Sequence, residues 1–311
     1  MQKILHIAPH GAASTEVARP SVLVGLLGQG IQKSRTPAMH EAEGIHHGLR
    51  YIYRLFDTDC MGDRHPTAAD VLRAAELCGF AGLNVTFPYK REVMGLMDEL
   101  SDAARAVGAV NTVVLRDGKR VGHNTDWWGF AESLRRGLPE APRNRVLLIG
   151  AGGAGGAVAQ ALVDSGVAHL EIFDTQADRS AGLAQWLMAR NPKIQSVTAL
   201  ESLDQLPDRA VVRPLDGVVN ATPIGMAKLP GTPLPNRFLE TRPWVADIVY
   251  FPLETELLRE ARAVGCQVLP GSGMAVFQAV KAFELFTGQI PDADRMAATF
   301  SAFSDPSEGA A

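Results

Sequence analysis

Residues 145–156 read RVLLIGAGGAGG, an apolar run that ends on glycines spaced GxGxxG and leads into the helix-forming stretch 154–164. Each glycine in such a turn has its own task. Gly150 lets the chain turn tightly out of a strand, Gly152 lets backbone approach a pyrophosphate, and Gly155 lets the helix pack close to the sheet. The first N–H groups of that helix stay free for phosphate oxygens. Gly150, Ala151, Gly152, Gly153, Ala154 and Gly155 are therefore the expected phosphate loop. Five further short apolar runs follow, opening near Leu170, Ser196, Gly217, Val245 and Gln267, with helical periodicity between most of them. With RVLLI they make six strands, the content of a doubly wound, Rossmann-type dinucleotide-binding sheet. The second run closes on Asp174, 24 residues beyond Gly150, where such sheets set an acid against the adenosine ribose hydroxyls. A carboxylate there opposes a 2′-phosphate, since at about 5 Å and an effective dielectric near 20 each charge pair costs roughly 3 kcal/mol. NAD is thus expected and NADP disfavoured. Arg179 softens the preference if it faces the same pocket, and a solvated strand-end aspartate is the other reading of Asp174.

The preceding half also alternates strand and helix periodicity. Residues 22–28, 51–56 and 82–86 read as strands laid parallel, 37–47 and 67–77 as helices, and Asp117-Gly118 as the turn of a hairpin joining 110–115 to 120–123. The chain has 311 residues, beyond the roughly 250 at which single cores stop growing. The expectation is a two-domain α/β protein. An N-terminal α/β substrate domain covers 21–126 and the dinucleotide domain 127–273, with helices over 274–303 packing back on the first. Residues 1–20 read as a flexible extension and 304–311 as a disordered tail.

A net charge of −4 carries no basic footprint for nucleic acid. No run reaches the roughly 20 apolar residues of a membrane helix. Cys60, Cys78 and Cys266 have neither CxxC spacing nor an even count, and the eight histidines show no HExxH pattern. No metal is expected; a reducing cytoplasm, a small-molecule substrate and a monomer or homodimer are.

Four further places hold candidate chemistry. Residues 82–90, GLNVTFPYK, predict a strand that breaks at Pro88 into a helix, with Lys90 in its positive first turn, poised to accept a proton. In GHNTD at 122–126, Thr125 or Asp126 is placed to cap the next helix, and an aspartate there serves capping or catalysis. Asn111 and Thr86 are buried polar candidates that satisfy local backbone or touch a ligand. Ser34 and Thr36 either cap the helix after Pro37 or donate hydroxyls to a substrate carboxylate.

Together these segments resemble the shikimate dehydrogenase family from about Val22 to Phe303. The resemblance rests on Ser34-Arg-Thr-Pro37 with His40, Asn84-Val-Thr-Phe-Pro-Tyr-Lys90, Gly108-Ala-Val-Asn-Thr112, Asn124-Thr-Asp126, the glycine loop, Asn220-Ala-Thr-Pro-Ile-Gly-Met226 and Gln278. It implies a two-domain enzyme that oxidises a ring hydroxyl, with the cofactor in the cleft between domains. Lys90 and Asp126 would be its catalytic pair and Ser34 and Thr36 its carboxylate anchor. Thr86, Asn111, Tyr250 and Gln278 would contact hydroxyls or the ring, and Ala221, Met226 and Gly273 would line the nicotinamide pocket. His40 is expected to pack rather than ligate. Where biosynthetic members carry Asn-Arg-Thr after the second strand, this chain has Asp174-Thr175-Gln176, and where they carry Ser-x-Ser it has Ser34-Arg35-Thr36. Both changes, and the stretch 244–265, resemble the NAD-using quinate/shikimate dehydrogenases. Quinate is the preferred substrate, with shikimate also accepted. The rivals are an NADP-dependent biosynthetic enzyme, a non-catalytic sensor of the same acids, and a related dehydrogenase acting on an amino-substituted ring or a folate.

Overall fold

The computed structural model describes residues 19–62, 66–206 and 214–302. The expected tail over 304–311, and the expected extension apart from Arg19 and Pro20, lie outside them. The first part contains β1 (Ser21–Gly28), α1 (Thr36–His46), β2 (Arg50–Asp57), α2 (Ala68–Leu77), β3 (Gly82–Val85), β4 (Glu99–Leu100), α3 (Asp102–Val107), β5 (Thr112–Arg116) and β6 (Lys119–His123). α4 (Thr125–Gly137) leads to the second part. There β7 (Arg145–Ile149), α5 (Gly153–Asp164), β8 (His169–Phe173), α6 (Ala177–Arg190), β9 (Ser196–Leu200), β10 (Gly217–Asn220), β11 (Trp244–Asp247), α7 (Glu256–Ala263) and β12 (Val268–Leu269) follow, before α8 (Ser272–Thr287) and α9 (Ala293–Ala302).

The second sheet has the order β12-β11-β10-β7-β8-β9 with every pair parallel. That is the doubly wound arrangement, and its direction of winding reverses between β7 and β10, where such folds open a ligand crevice. Helices cover both faces of its central strand β7, whose body is apolar: Val146, Leu147, Leu148 and Ile149 are all buried.

The first sheet runs β2-β1-β3-β5-β6-β4. β2, β1 and β3 are parallel, as expected, but β5 lies antiparallel to β3. A parallel neighbour needs a crossover that returns the chain to the end where the strand began. Here the connection through β4 and α3 instead re-enters at the far end, with Thr112 opposite Asn84. β4 and α3 carry too few residues for their periodicity to be read; α3 is set by Ser101 capping the Ala104 N–H and by Gly108, whose φ of +69° ends it.

The last two helices return to the first sheet. Phe283 and Phe286 of α8 pack with Val24, Tyr51 and Tyr53, while Met274 at its other end packs in the core of the second sheet. Met296 and Phe300 of α9 pack on Met39 of α1. Buried Glu43 accepts from Arg295 Nε at 2.6 Å, tying α9 to α1.

Candidate active site

Lys90 Nζ donates to Asp126 Oδ2 at 2.6 Å, and both side chains are largely shielded from solvent. The two ends of this pair reach it differently from the sequence expectation. No α-helix starts at Pro88. Residues 87–91 are successive turns followed by a 3₁₀ segment, Glu92–Leu96. The Lys90 carbonyl that a helix would use accepts from Val110 N at 2.9 Å, and Met94 N turns to Arg91 instead. Lys90 is therefore held by a tertiary contact, and the helix-dipole argument for it falls. Nor do Thr125 or Asp126 cap α4. Asn124 does, accepting from Trp127 N at 3.2 Å while its amide donates to Ala109 O at 3.0 Å. With the cap supplied by its neighbour, the Asp126 carboxylate is released to Lys90.

A buried hydrogen-bonded chain stands behind Asp126. Tyr53 Oη donates to Asn84 Oδ1 at 2.8 Å, Asn84 Nδ2 to Thr112 Oγ1 at 3.0 Å, and Thr112 Oγ1 to Asn111 Oδ1 at 3.1 Å. Asn111 Oδ1 also accepts from Thr125 N at 2.7 Å, and its Nδ2 donates to Thr125 Oγ1 at 3.0 Å. Asn111 thus fixes the start of α4. In the sequence Asn84, Thr112 and Thr125 stand out only as motif residues or a candidate cap, and Tyr53 does not stand out at all. For Asn84 and Thr112 the signal is a polar residue in a short, mostly apolar strand, which needs a partner when buried.

Ser34 and Thr36 lie together where β1 passes into α1, with Ser34 Oγ accepting from Thr36 N at 3.3 Å. Asp57, buried at the end of β2, accepts from Gly30 N, Ile31 N and Gln32 Nε2 and so anchors the loop before them. Between the two hydroxyl residues, Arg35 is turned away: its guanidinium donates to Phe300 O at 3.0 Å and lies 5.0 Å from the Phe300 ring. Tyr250 packs edge-on against the same ring at 6.1 Å. Tyr250 is 41% exposed as a residue, yet the protein around its ring, then the charge of Asp126, pushes its hydroxyl above the ordinary tyrosine value, with Arg35 acting against both. Asp126, Arg35 and Tyr250 therefore share one region. Thr86 is half-buried at the end of β3, its methyl group set against Gly28. Gln278 on α8 donates to Ala275 O at 3.0 Å, and its backbone presses on Gly129 of α4.

The glycine loop fits a dinucleotide. Gly150 has φ +102°, a Cβ at Gly155 would lie 2.1 Å from the Gly150 carbonyl oxygen, and a Cβ at Gly152 would meet nothing within 4 Å. Close packing is thus needed at one glycine and open space is left at another. α5 starts at Gly153 with no side-chain cap, so its first N–H groups face outward for an anion. Ala151 N donates to Asp174 Oδ2 at 2.8 Å and Gln176 N to Asp174 Oδ1 at 2.8 Å. The carboxylate at the end of β8 is therefore anchored to the loop and keeps lone pairs for a further donor. Arg179 is exposed in the first turn of α6. Ala221 abuts Gly150, and Met226 is exposed on the loop after β10. Gly273 has a packing reason of its own, since a Cβ there would lie 2.2 Å from Ser133 Oγ on α4. The loop reaches the pair: a Cβ at Gly153 would lie 3.9 Å from Lys90 Cδ.

Among the described residues, no cluster of three or more His, Cys, Asp or Glu is placed to hold a metal, and no helix is long and apolar enough to cross a membrane.

Comparison with known proteins agrees with this geometry. Residues 26–113 match the shikimate dehydrogenase substrate-binding domain and residues 271–299 the shikimate 5′-dehydrogenase C-terminal domain. A shikimate dehydrogenase (NADP(+)) of Arthrobacter sp. strain FB24 is 52% identical over 90% of this chain and 94% of its own. A quinate/shikimate dehydrogenase (NAD(+)) of Corynebacterium efficiens is 48% identical over 90% of this chain and 98% of its own. The solved quinate dehydrogenase from Corynebacterium glutamicum in complex with NAD superposes with a TM-score of 0.84 at 45% identity, covering 92% of this chain and all of that one.

Proposed function

This chain belongs to the shikimate dehydrogenase family, and on that premise we propose that it oxidises the carbon-3 ring hydroxyl of quinate, and also of shikimate, to the 3-dehydro ketone. The observation that carries the reading is the Lys90–Asp126 pair at 2.6 Å, lying beside the Gly153 end of the phosphate loop. NAD, when bound, supplies the hydride acceptor. Gly150 to Gly155 would hold its pyrophosphate, Asp174 its adenosine ribose, with Arg179 near that end, and Ala221, Met226 and Gly273 would line the nicotinamide pocket. Ser34 and Thr36 anchor the substrate carboxylate, while Thr86, Asn111, Tyr250 and Gln278 orient the ring. As the carbon–hydrogen bond gives up its hydride and the C=O bond forms, the hydroxyl proton passes to Lys90, directly or through Asp126. A hydrogen bond donated by Lys90, itself oriented by Asp126, stabilises the oxygen as its charge changes. The working unit is read as a monomer or homodimer.

The cofactor follows from Asp174, anchored through Ala151 and Gln176 at the end of β8, where its charge opposes a 2′-phosphate. The Corynebacterium efficiens relative and the solved quinate dehydrogenase are described with NAD. A second reading, NADP-dependent oxidation of shikimate, is favoured by the name of the Arthrobacter relative and by exposed Arg179. Quinate and shikimate, each assayed with NAD and NADP by absorbance of the reduced cofactor, separate the two. The proposal expects the fastest turnover with NAD and activity on quinate; activity on shikimate with NADP alone would replace it by the second reading.

A further inference from the structure

Asp247 ends β11 and is 2% exposed, the only charged residue in the run WVAD. Its Oδ1 accepts from Asn220 Nδ2 at 3.0 Å and from Val249 N at 2.9 Å, and its Oδ2 accepts from Thr255 Oγ1 at 2.7 Å. Both outer partners organise a loop. Asn220 Nδ2 also donates to Ile224 O at 2.9 Å, and Asn220 Oδ1 accepts from Thr222 N at 2.9 Å and Thr222 Oγ1 at 2.7 Å. Gly225, with φ +107°, brings that loop back past the carboxylate, so that a Cβ there would lie 3.7 Å from Asp247 Oδ2. On the other side Thr255 caps α7 through Leu258 N at 3.4 Å. Gly271 at the entry of α8 presses so close to Ile248 that a Cβ would lie 2.5 Å from its carbonyl oxygen.

Two segments therefore leave one carboxylate. The first, 221–226, abuts the phosphate loop through Ala221; the second, 248–254, carries Tyr250. Burial pushes the Asp247 carboxyl up to about 6, with its three hydrogen bonds acting the other way. An acid held at that desolvation cost has to be matched by partners that need its acceptors.

We propose that Asp247 is a positioning residue for the dehydrogenase reaction, clamping the loop beside the nicotinamide pocket and the Tyr250 segment to each other so that cofactor and ring acid are presented in one geometry. The inference rests on the functional reading above and adds to it a residue that touches neither ligand.

The test compares wild type, Asp247→Asn and Asp247→Ala, each with and without Tyr250→Phe, measuring NADH binding by fluorescence titration and KM for quinate and shikimate. Asp247→Ala is expected to weaken NADH binding and raise KM for the ring acid by about tenfold each. Asp247→Asn is expected to stay within about threefold, because its amide still accepts from Asn220 and Val249 and can donate to Thr255. The loss caused by Tyr250→Phe in the wild type should shrink in the Asp247→Ala background, since the Tyr250 segment is already released. Folded Asp247→Ala with wild-type values for both ligands, or with the Tyr250→Phe loss undiminished, overturns the proposal. If Asp247→Ala does not fold, Thr255→Val releases only the second segment: a KM for the ring acid raised several-fold with NADH binding unchanged supports the clamp, and no change in either overturns it. A wild type that binds NADH but oxidises neither acid defeats the functional reading instead, and the NADH titration of Asp247→Ala still decides whether the carboxylate holds the cofactor side.

Discussion

Lys90 and Asp126 are 36 residues apart in the chain, and nothing local makes either of them reactive. Removing the amine leaves the glycine loop and the proposed carboxylate anchor, Ser34 and Thr36, in place. Lys90→Ala is therefore expected to cut kcat by about 10²-fold or more with a much smaller change in KM; steady-state kinetics check it, and near-wild-type turnover removes Lys90 from the mechanism. Asp174 accepts one backbone N–H on each of its two oxygens, so the amide of the same shape removes the charge while keeping one of those bonds. Asp174→Asn should narrow the NAD-to-NADP ratio of kcat/KM by roughly 10- to 100-fold, and an unchanged ratio rejects its role in cofactor choice. His40 shows how a motif residue serves the core. It is fully buried beside Tyr51, with Nδ1 and the Tyr51 hydroxyl 2.9 Å apart, and burial lowers its pKa to about 3. The folded state refuses a proton that the unfolded chain accepts below about pH 6.5. Its contribution is then complete above that pH and lost as pH falls towards 3, reaching about 3 kcal/mol near pH 4.5. Thermal melts of His40→Gln should show a flatter fall in stability between pH 6.5 and 4.5; an unchanged slope sinks the assignment.

At the scale of elements, α4 matters most, because its first turn carries Asp126 and its body packs on α5 and α8. Phe130 and Leu134 bury its apolar face, and the helix stops at Gly137. Its cap, Asn124, lies one or two residues before the Thr125 or Asp126 that the sequence suggests. Thr, Asp and Asn are all good caps, so sequence could not rank three of them in a row; Ala109 O, which receives the Asn124 amide, decides the matter. Asn124→Ala is expected to cost about 1 kcal/mol of stability and, by freeing Asp126 to turn towards the vacated N–H groups, to lower kcat as well. Parallel melts and kinetics test this: a stability loss with unchanged kcat would leave Asn124 a cap and nothing more.

For the whole molecule, the chain end is what joins the two sheets. α8 packs on both cores, and α9 is secured to α1 through Arg295 and buried Glu43. Burial alone would raise the Glu43 carboxyl, but its bonds to Arg295, Asp292 and His47 outweigh burial and hold it below the usual carboxylate range. Arg295→Ala strands that carboxylate and is expected to cost about 3 kcal/mol. Because Phe300 lies on the same helix α9 as Arg295 and packs against both Arg35 and Tyr250, KM for the ring acid should rise along with the fall in melting temperature. A lower melting temperature with unchanged KM would separate the latch from the site.

Patterns with a short repeat were legible in the amino-acid order alone. The six parallel strands, the glycine turn after β7 and the place of Asp174 at a strand end follow from side-chain alternation and glycine sterics within a few residues. The antiparallel entry of β5 was not legible, because strand direction depends on which end the chain returns to. Neither was the setting of Lys90, fixed by Val110 across the turn, nor the hydrogen-bonded line from Tyr53 to Thr125, nor the meeting of Asn220, Asp247 and Thr255. Those depend on groups brought together from distant parts of the chain, where burial removes water and makes each polar atom find a partner. Only the tertiary structure decides which partner that is.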